Sequence, residues 1–209
     1  MTKSTVVIVD DHKLFRDGLK FILSESGIAE VIAEASNGKE FLTLLTNIKP
    51  DLVLMDINMP VMNGIESSKR GLEIYPDMNI LVLSMYGDEE YYNTMIDLGV
   101  KGFLLKDADT SELKIAINKI LEGGSYFSQQ LLLNIINSRQ VQDTVKLTRR
   151  EKEILVLICQ GHSNNTISDE LHISSRTVER HRAELLDKTQ SSNSISLVIY
   201  AIKNGLVKI

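Results

Sequence analysis

A single cysteine, Cys159, stands in the 209 residues. No intramolecular disulfide can form and no thiolate metal cluster can be built, so nothing in the chain asks for an oxidising compartment. The thiol reads as a small buried hydrophobe. Long apolar runs are also missing. The N-terminal stretch MTKSTVVIVDDH meets two acids after one short apolar run, too soon for the core of a signal peptide or a membrane span. The expected setting is therefore the cytoplasm, with no membrane partner. Proline is scarce: Pro50, Pro60 and Pro76 are the only three, and all fall at or near expected loops. Tandem repeats and low-complexity segments are absent. With 43% hydrophobic and 24% charged residues, the composition is that of a globular protein able to bury a core, and the length favours two domains over one.

The formal net charge of −5 conceals a division. Residues 1–145 carry 13 Lys and Arg against 21 Asp and Glu, whereas residues 146–209 carry 10 against 7. An acidic body is thus joined to a mildly basic tail, and only the tail is a candidate for nucleic acid. From Thr5 to Lys106, short apolar runs alternate with amphipathic stretches: TVVIVD then LFRDGLKFILSE, EVIAEA then GKEFLTLLTNI, DLVLMD then IESSKRGLEI, NILVLS then EYYNTMIDLG, KGFLLK then ELKIAINKILEG. Nearly continuous apolar strands are buried on both faces, and right-handed crossovers put helices on both sides of them. The pattern predicts a doubly wound, five-stranded parallel sheet over residues 1–122. Gly123-Gly124 opens a charge-poor stretch, read as a linker over 123–145 with a short helix around Leu131–Asn137. Residues 146–209 show helical patterning only, predicting an all-α second domain.

In an open parallel sheet, ligands bind beyond the carboxyl ends of the strands. There the sequence puts Asp10 and Asp11 after strand one, Asp56 after strand three, Ser84 after strand four and Lys106 after strand five. Any one of these acids alone reads as an ordinary turn or N-cap residue. Three converging carboxylates, however, raise one another's pKa and need a cation. Lys106 supplies one positive charge, and a hard divalent ion such as Mg²⁺, bound through a few carboxylates and otherwise water or phosphate oxygens, supplies the rest. Asp56 in that setting can act as a nucleophile on a phosphoryl group, with Pro60 and Gly64 shaping the loop after it and Ser84 available to the acquired phosphate.

The segments VIVDDH, LVLMDINMPVMNG, VLSMY and GFLLK resemble the receiver domain of two-component response regulators, a flavodoxin-like fold, from about Thr5 to Glu122. The resemblance implies that Asp56 is the phosphoacceptor, that Asp10, Asp11, Asp56 and the Asn58 backbone carbonyl serve Mg²⁺, and that Lys106 pairs with the phosphoryl group. It assigns Ser84 and Phe103 to the switch positions. Two departures stand out. Asp107 follows Lys106 where many receivers have proline, and Met85 replaces a small residue beside Ser84; a bulky Met85 is expected to restrict water and slow loss of the phosphoryl group.

In the tail, NNTISDELHISSRTVERHRAELLDK has the organisation of a helix-turn-helix, with a tight turn at His172-Ile173 and a second helix capped by Ser174 or Ser175. Ile167, Leu171, Val178, Leu185 and Leu186 share a core-facing pattern. Arginines at 176, 180 and 182 can meet phosphates or guanine, Glu179 can accept from cytosine, and Ala183 can touch a thymine methyl. A solvated charged helix face is the plainer reading of these side chains, and motif order decides against it. LTRREKEILVLICQG followed by this segment is similar to the LuxR-type helix-turn-helix, and the whole chain resembles NarL/FixJ-type regulators. That resemblance implies a DNA face of Arg176, Thr177, Glu179, Arg180, His181, Arg182, Ala183 and Lys188. It also implies dimerisation through the last helix, where Ile195, Val198, Ile199 and Ile202 form one stripe. Ser168 and Ser194 depart from residues usual in that pattern.

The expected mechanism has a histidine kinase phosphorylating Asp56 and the modified receiver promoting homodimerisation and promoter binding. Enzymatic activity is expected only as Mg²⁺-dependent self-phosphorylation and slow self-dephosphorylation. Two rivals differ in kind. A haloacid-dehalogenase-like phosphohydrolase would need a second acid two residues beyond the nucleophile, where Asn58 stands. A phosphorylation-independent regulator would use its receiver only for docking.

Overall fold

The computed structural model describes residues 3–85, 89–128 and 145–207. Five β-α units come first: β1 (Ser4–Val9), α1 (Lys13–Ser26), β2 (Ala29–Ala35), α2 (Gly38–Leu44), β3 (Leu52–Asp56), α3 (Gly64–Ile74), β4 (Ile80–Ser84), α4 (Glu89–Leu98), β5 (Gly102–Leu105) and α5 (Thr110–Leu121). The strands are all parallel in the order β2-β1-β3-β4-β5, and a sixth, β6 (Tyr126–Phe127), adds to the edge beside β5. β3, β4 and β5 are buried along their whole length, as expected of strands covered on both faces. Alternate residues divide between two cores. Val6, Ile8, Leu52, Leu54, Leu81 and Leu104 pack with α1 and α5, while Val7, Val9, Val53, Met55, Val82 and Phe103 pack with the other helices. Chain order reverses between β1 and β3, which have neighbours added on opposite sides, and this is the switch point at which doubly wound sheets bind ligands.

The sheet therefore has six strands where the sequence pattern showed five. β6 lies in the stretch read as linker. It has only two residues, and it exists because the chain turns at Gly123 (φ 84°) and lays Tyr126 and Phe127 beside Gly102 and Phe103. A two-residue strand leaves no periodicity to read. The short helix expected around Leu131–Asn137 lies outside the described residues. No peptide bond is cis among the described residues, so Lys106–Asp107 is trans.

The C-terminal part is helical: α6 (Arg149–Cys159), α7 (Asn164–Leu171), α8 (Ser175–Thr189) and α9 (Ser194–Lys203). Each helix has a side-chain N-cap, respectively Thr148, Ser163, Ser174 and Asn193, which satisfies backbone N–H groups that the first turn leaves orphaned. His172 takes the left-handed conformation (φ 52°) that turns α7 into α8. Ile167, Val178 and Leu185 are fully buried between the helices, with Leu171 and Leu186 partly buried beside them. Cys159 is half-buried, and burial pushes its thiol up to about 12. Among the described residues, no helix is long and apolar enough to cross a membrane.

Candidate functional site

The parallel topology brings the carboxyl ends of β1, β3, β4 and β5 to one edge, and with them the polar residues that end those strands. Lys106, immediately beyond β5, points its Nζ between Asp10 Oδ2 at 2.7 Å and Asp56 Oδ2 at 2.9 Å. All three side chains are at least nine-tenths buried. Asp11 and His12 complete the cluster, and the potential ligand atoms of Asp10, Asp11, His12 and Asp56 lie within 4.8 Å of one another. The turn from β1 into α1 is fixed by the His12 backbone N–H donating to Asp10 Oδ1 at 2.8 Å and by Arg16 Nη1 donating to the Asp10 carbonyl at 2.6 Å. His12 Nδ1 stands 2.8 Å from Asp11 Oδ1. His12 was not singled out from the sequence, although its place directly after the two acids was the available signal.

The loop after β3 folds back on the acceptor strand. The Gly64 N–H donates to the Ile57 carbonyl at 2.8 Å, and a Cβ at Gly64 would sit 2.0 Å from the Asp56 carbonyl oxygen. Only glycine lets the start of α3 approach so closely. Asn58, two residues past Asp56, is exposed on this loop. The Ser84 hydroxyl is fully buried at the end of β4 and has no hydrogen-bond partner among the described residues. A buried, unsatisfied hydroxyl is costly unless a ligand completes it. Phe103 is fully buried, with its ring edge-on to Tyr92 of α4 at 5.4 Å and tilted against Phe127 of β6 at 6.1 Å.

Charge agrees with the geometry. Burial pushes the Asp56 carboxyl up, and the Lys106 ammonium offsets this only in part. Burial pulls Lys106 down, but Asp10 and Asp56 outweigh it and hold the ammonium above its ordinary value. Three carboxylates around one ammonium leave a formal excess of negative charge in a partly buried crevice, which a hard divalent cation with oxygen ligands fits.

On α8, Arg176, Glu179, Arg180 and Ala183 are exposed at spacings of three and four, hence on one face. Thr177 and His181 are half-buried; their side chains meet Ser174 Oγ at 2.8 Å and Glu184 Oε2 at 3.2 Å. Arg182 turns away from the exposed face, donating to Asn164 Oδ1 at 2.5 Å and Ser194 Oγ at 3.3 Å. Lys188 is bound to the buried Glu151 at 2.6 Å. On α9, Ile195, Val198 and Ile199 are buried within the chain itself and Ile202 is partly buried.

Residues 6–118 match the response regulator receiver domain family, and residues 145–201 match the luxR family of bacterial regulatory proteins. The chain is 36% identical to the transcriptional regulatory protein DegU of Brevibacillus brevis, covering 99% of this chain and 96% of that relative. It is 35% identical to the oxygen regulatory protein NreC of Staphylococcus aureus, covering 97% and 99%. The crystal structure of ChrA, the response regulator of a heme-sensing two-component system, matches 99% of this chain and all of its own with a TM-score of 0.55 and 30% identity. With relatives this similar over nearly the whole length, the chain belongs to the two-component response regulators of the NarL/FixJ type, which join a receiver to a LuxR-type DNA-binding domain and regulate transcription under the control of phosphorylation.

Proposed function

We propose that Asp56 is the residue that carries the phosphoryl group, delivered by a histidine kinase. The observation that carries this reading is the Lys106 ammonium held between Asp10 and Asp56, with the unpartnered Ser84 hydroxyl at the neighbouring strand end. A carboxylate oxygen of Asp56 attacks phosphorus, the P–N bond to the donor imidazole breaks, and the imidazole leaves to recover a proton. Lys106 neutralises the transferring oxygens, and Ser84 donates its hydrogen bond to the acquired phosphate. Asp10, Asp11, Asp56 and the Asn58 carbonyl would hold Mg²⁺, which when bound supplies charge neutralisation at the phosphoryl oxygens. Beyond this phosphorylation and a slow self-dephosphorylation, no turnover is assigned.

The receiver spans residues 1–122, the linker 123–145 begins with β6 laid on the receiver's sheet, and the DNA-binding domain spans 146–209. In the cytoplasm, phosphorylation pairs two copies through α9 on promoter DNA. Two α8 helices then enter the major groove about one helical turn apart, with Arg176, Thr177, Glu179, Arg180 and Ala183 nearest the bases and His181 and Lys188 towards the phosphates. Arg182 reaches DNA only by leaving Asn164 and Ser194.

Intact mass and promoter-fragment binding, measured before and after incubation with acetyl phosphate and Mg²⁺, test the proposal on wild type and Asp56→Asn. An adduct of one phosphoryl group on wild type alone, with tighter DNA binding, is expected. Absence of any adduct, or equal DNA binding by both proteins, would instead make the receiver a docking domain that works without phosphorylation.

A further inference from the structure

A cavity of about 70 Å³ lies where the end of α5 and β6 meet α6, α8 and α9. Two half-buried cations line it, Lys119 of α5 and Arg182 of α8. Lys119 Nζ donates to the Gln160 carbonyl at 2.8 Å and stands 5.9 Å from the centre of the Tyr126 ring. Arg182 donates to Asn164 Oδ1 at 2.5 Å and to Ser194 Oγ at 3.3 Å. Every one of these partners is neutral. Among the described residues, neither cation reaches a carboxylate, and no Asp or Glu lines the cavity. Glu170 stands 3.4 Å from His162 Nδ1 but lies outside the lining. Cys159 is on the wall, yet burial pushes its thiol up to about 12, so no thiolate supplies the missing negative charge.

A cation withdrawn from water without a counter-charge is costly. Elsewhere in the chain the requirement is met: Arg16 reaches Glu34, and Lys106 reaches Asp10 and Asp56. At Arg182 burial pulls the guanidinium down with nothing to oppose it. Water could satisfy the spare N–H groups but not the charge. Size narrows the occupant further. A water needs roughly 10–15 Å³ measured in the same way, so the cavity holds about five heavy atoms, enough for a phosphate or sulfate and far too few for a nucleotide. A guanidinium offers such an ion paired N–H groups and an ammonium offers a point charge, while the Ser125 and Ser194 hydroxyls on the wall add donors. We infer that this cavity is a binding site for a small tetrahedral oxyanion, phosphate or sulfate, held between Lys119 of the receiver and Arg182 of the DNA-binding domain. The ion's two negative charges match the two cations, and it takes the N–H groups of Arg182 that Asn164 and Ser194 leave unused.

Isothermal titration calorimetry of inorganic phosphate into the full-length chain tests the assignment, with chloride as the background salt and a chelator to keep the acidic crevice free of metal. Wild type is expected to bind one phosphate saturably, with a Kd of ~1 mM or tighter. Lys119→Met keeps the aliphatic stem and removes the charge, and should weaken binding about tenfold or more. Because Lys119 belongs to α5, that loss cannot come from phosphate bound on the exposed arginines of α8. Arg182→Gln should weaken binding as much, and Arg182→Lys, which restores the charge, should recover part of it. Thermal unfolding without phosphate shows that each variant is folded before its affinity is read. Lys152→Met removes an exposed positive charge from α6, outside the cavity, and should bind like wild type. Sulfate, of the same shape, should displace phosphate, whereas acetate should not, and the ratio of the phosphate and sulfate affinities identifies the preferred ion. No saturable binding by wild type would overturn the inference. So would undiminished binding by both Lys119→Met and Arg182→Gln, an equal loss in Lys152→Met, or displacement by acetate as readily as by sulfate.

Discussion

Met85 follows the buried Ser84 hydroxyl yet is 59% exposed, an uncommon position for a long apolar side chain next to a charged crevice. With His12, Leu14, Phe15 and Lys106 it lines one groove at the mouth of the site. Hydrolysis of an aspartyl-phosphate requires a water in line with the bond that breaks, and a flexible apolar side chain at the mouth lowers the population of that water. Met85→Ala is therefore expected to shorten the lifetime of the phosphorylated chain. A change of about 1 kcal/mol in the barrier corresponds to roughly fivefold in rate. Following the adduct by intact mass after acetyl phosphate is removed gives the decay directly, and equal half-lives for variant and wild type would dismiss any role of Met85 in excluding water.

Helix α6 is tied to α8 through one carboxylate. Glu151 closes the capping box of α6 with Thr148, is almost fully buried, and receives Lys188 of α8 at 2.6 Å. Burial alone would raise its carboxyl, but Lys188 and the two Thr148 donors outweigh burial and hold it below its ordinary value. A carboxyl depressed by folding contributes stability that is present above the unfolded pKa, about 4.3, and is lost as pH falls through the folded pKa. Glu151→Gln keeps the shape and removes the charge, so about 2 kcal/mol of stability should be lost at pH 7, and the deficit should shrink progressively below about pH 4. Urea unfolding followed by far-ultraviolet circular dichroism at the two pH values measures it; a deficit independent of pH would assign the cost to packing instead. Elements of this kind also mark how much the sequence disclosed. β1, β3, β4 and β5 were readable because each is an apolar run, and the crevice followed from them, since parallel strands bring Asp10, Asp56, Ser84 and Lys106 to one edge. β6 was not readable, because two residues become a strand only by pairing with β5. Helical spacing placed Arg182 and Lys188 on the DNA-reading helix but could not reveal that Asn164, Ser194 and Glu151 arrive from other helices to hold them.

At the scale of the whole molecule, two glycines set how closely the receiver and the DNA-binding domain approach. A Cβ at Gly124 would lie 2.3 Å from the Gly161 carbonyl oxygen and 2.9 Å from that of Lys119, while one at Gly161 would lie 2.5 Å from the Ser125 carbonyl oxygen. All three obstacles are backbone, which cannot rotate out of the way as a side chain can. Gly161 also needs φ 81°, so replacing it would strain the turn whatever the domains do. Gly124 has no such requirement, and the nearer of its two obstacles, the Gly161 carbonyl, belongs to the DNA-binding domain while the Lys119 carbonyl ends the receiver's own α5, so a methyl group there acts first as a wedge between the domains. Gly124→Ala is thus expected to open the docked arrangement while both domains stay folded. Small-angle X-ray scattering should find unphosphorylated wild type near the ~17 Å radius of gyration of a compact chain of this length, and Gly124→Ala clearly above it. The Asn193 side-chain amide, at the α9 N-cap, donates to the Ile96 carbonyl of α4, so the Gly124 and Asn193 contacts hold the same closure and the effects of Gly124→Ala and Asn193→Asp are coupled rather than additive: once one substitution has separated the domains, adding the other should expand the molecule no further. Two equal, additive expansions would mean that the contacts restrain different motions, and an unchanged radius for Gly124→Ala would mean that the close backbone approach follows from docking without limiting it.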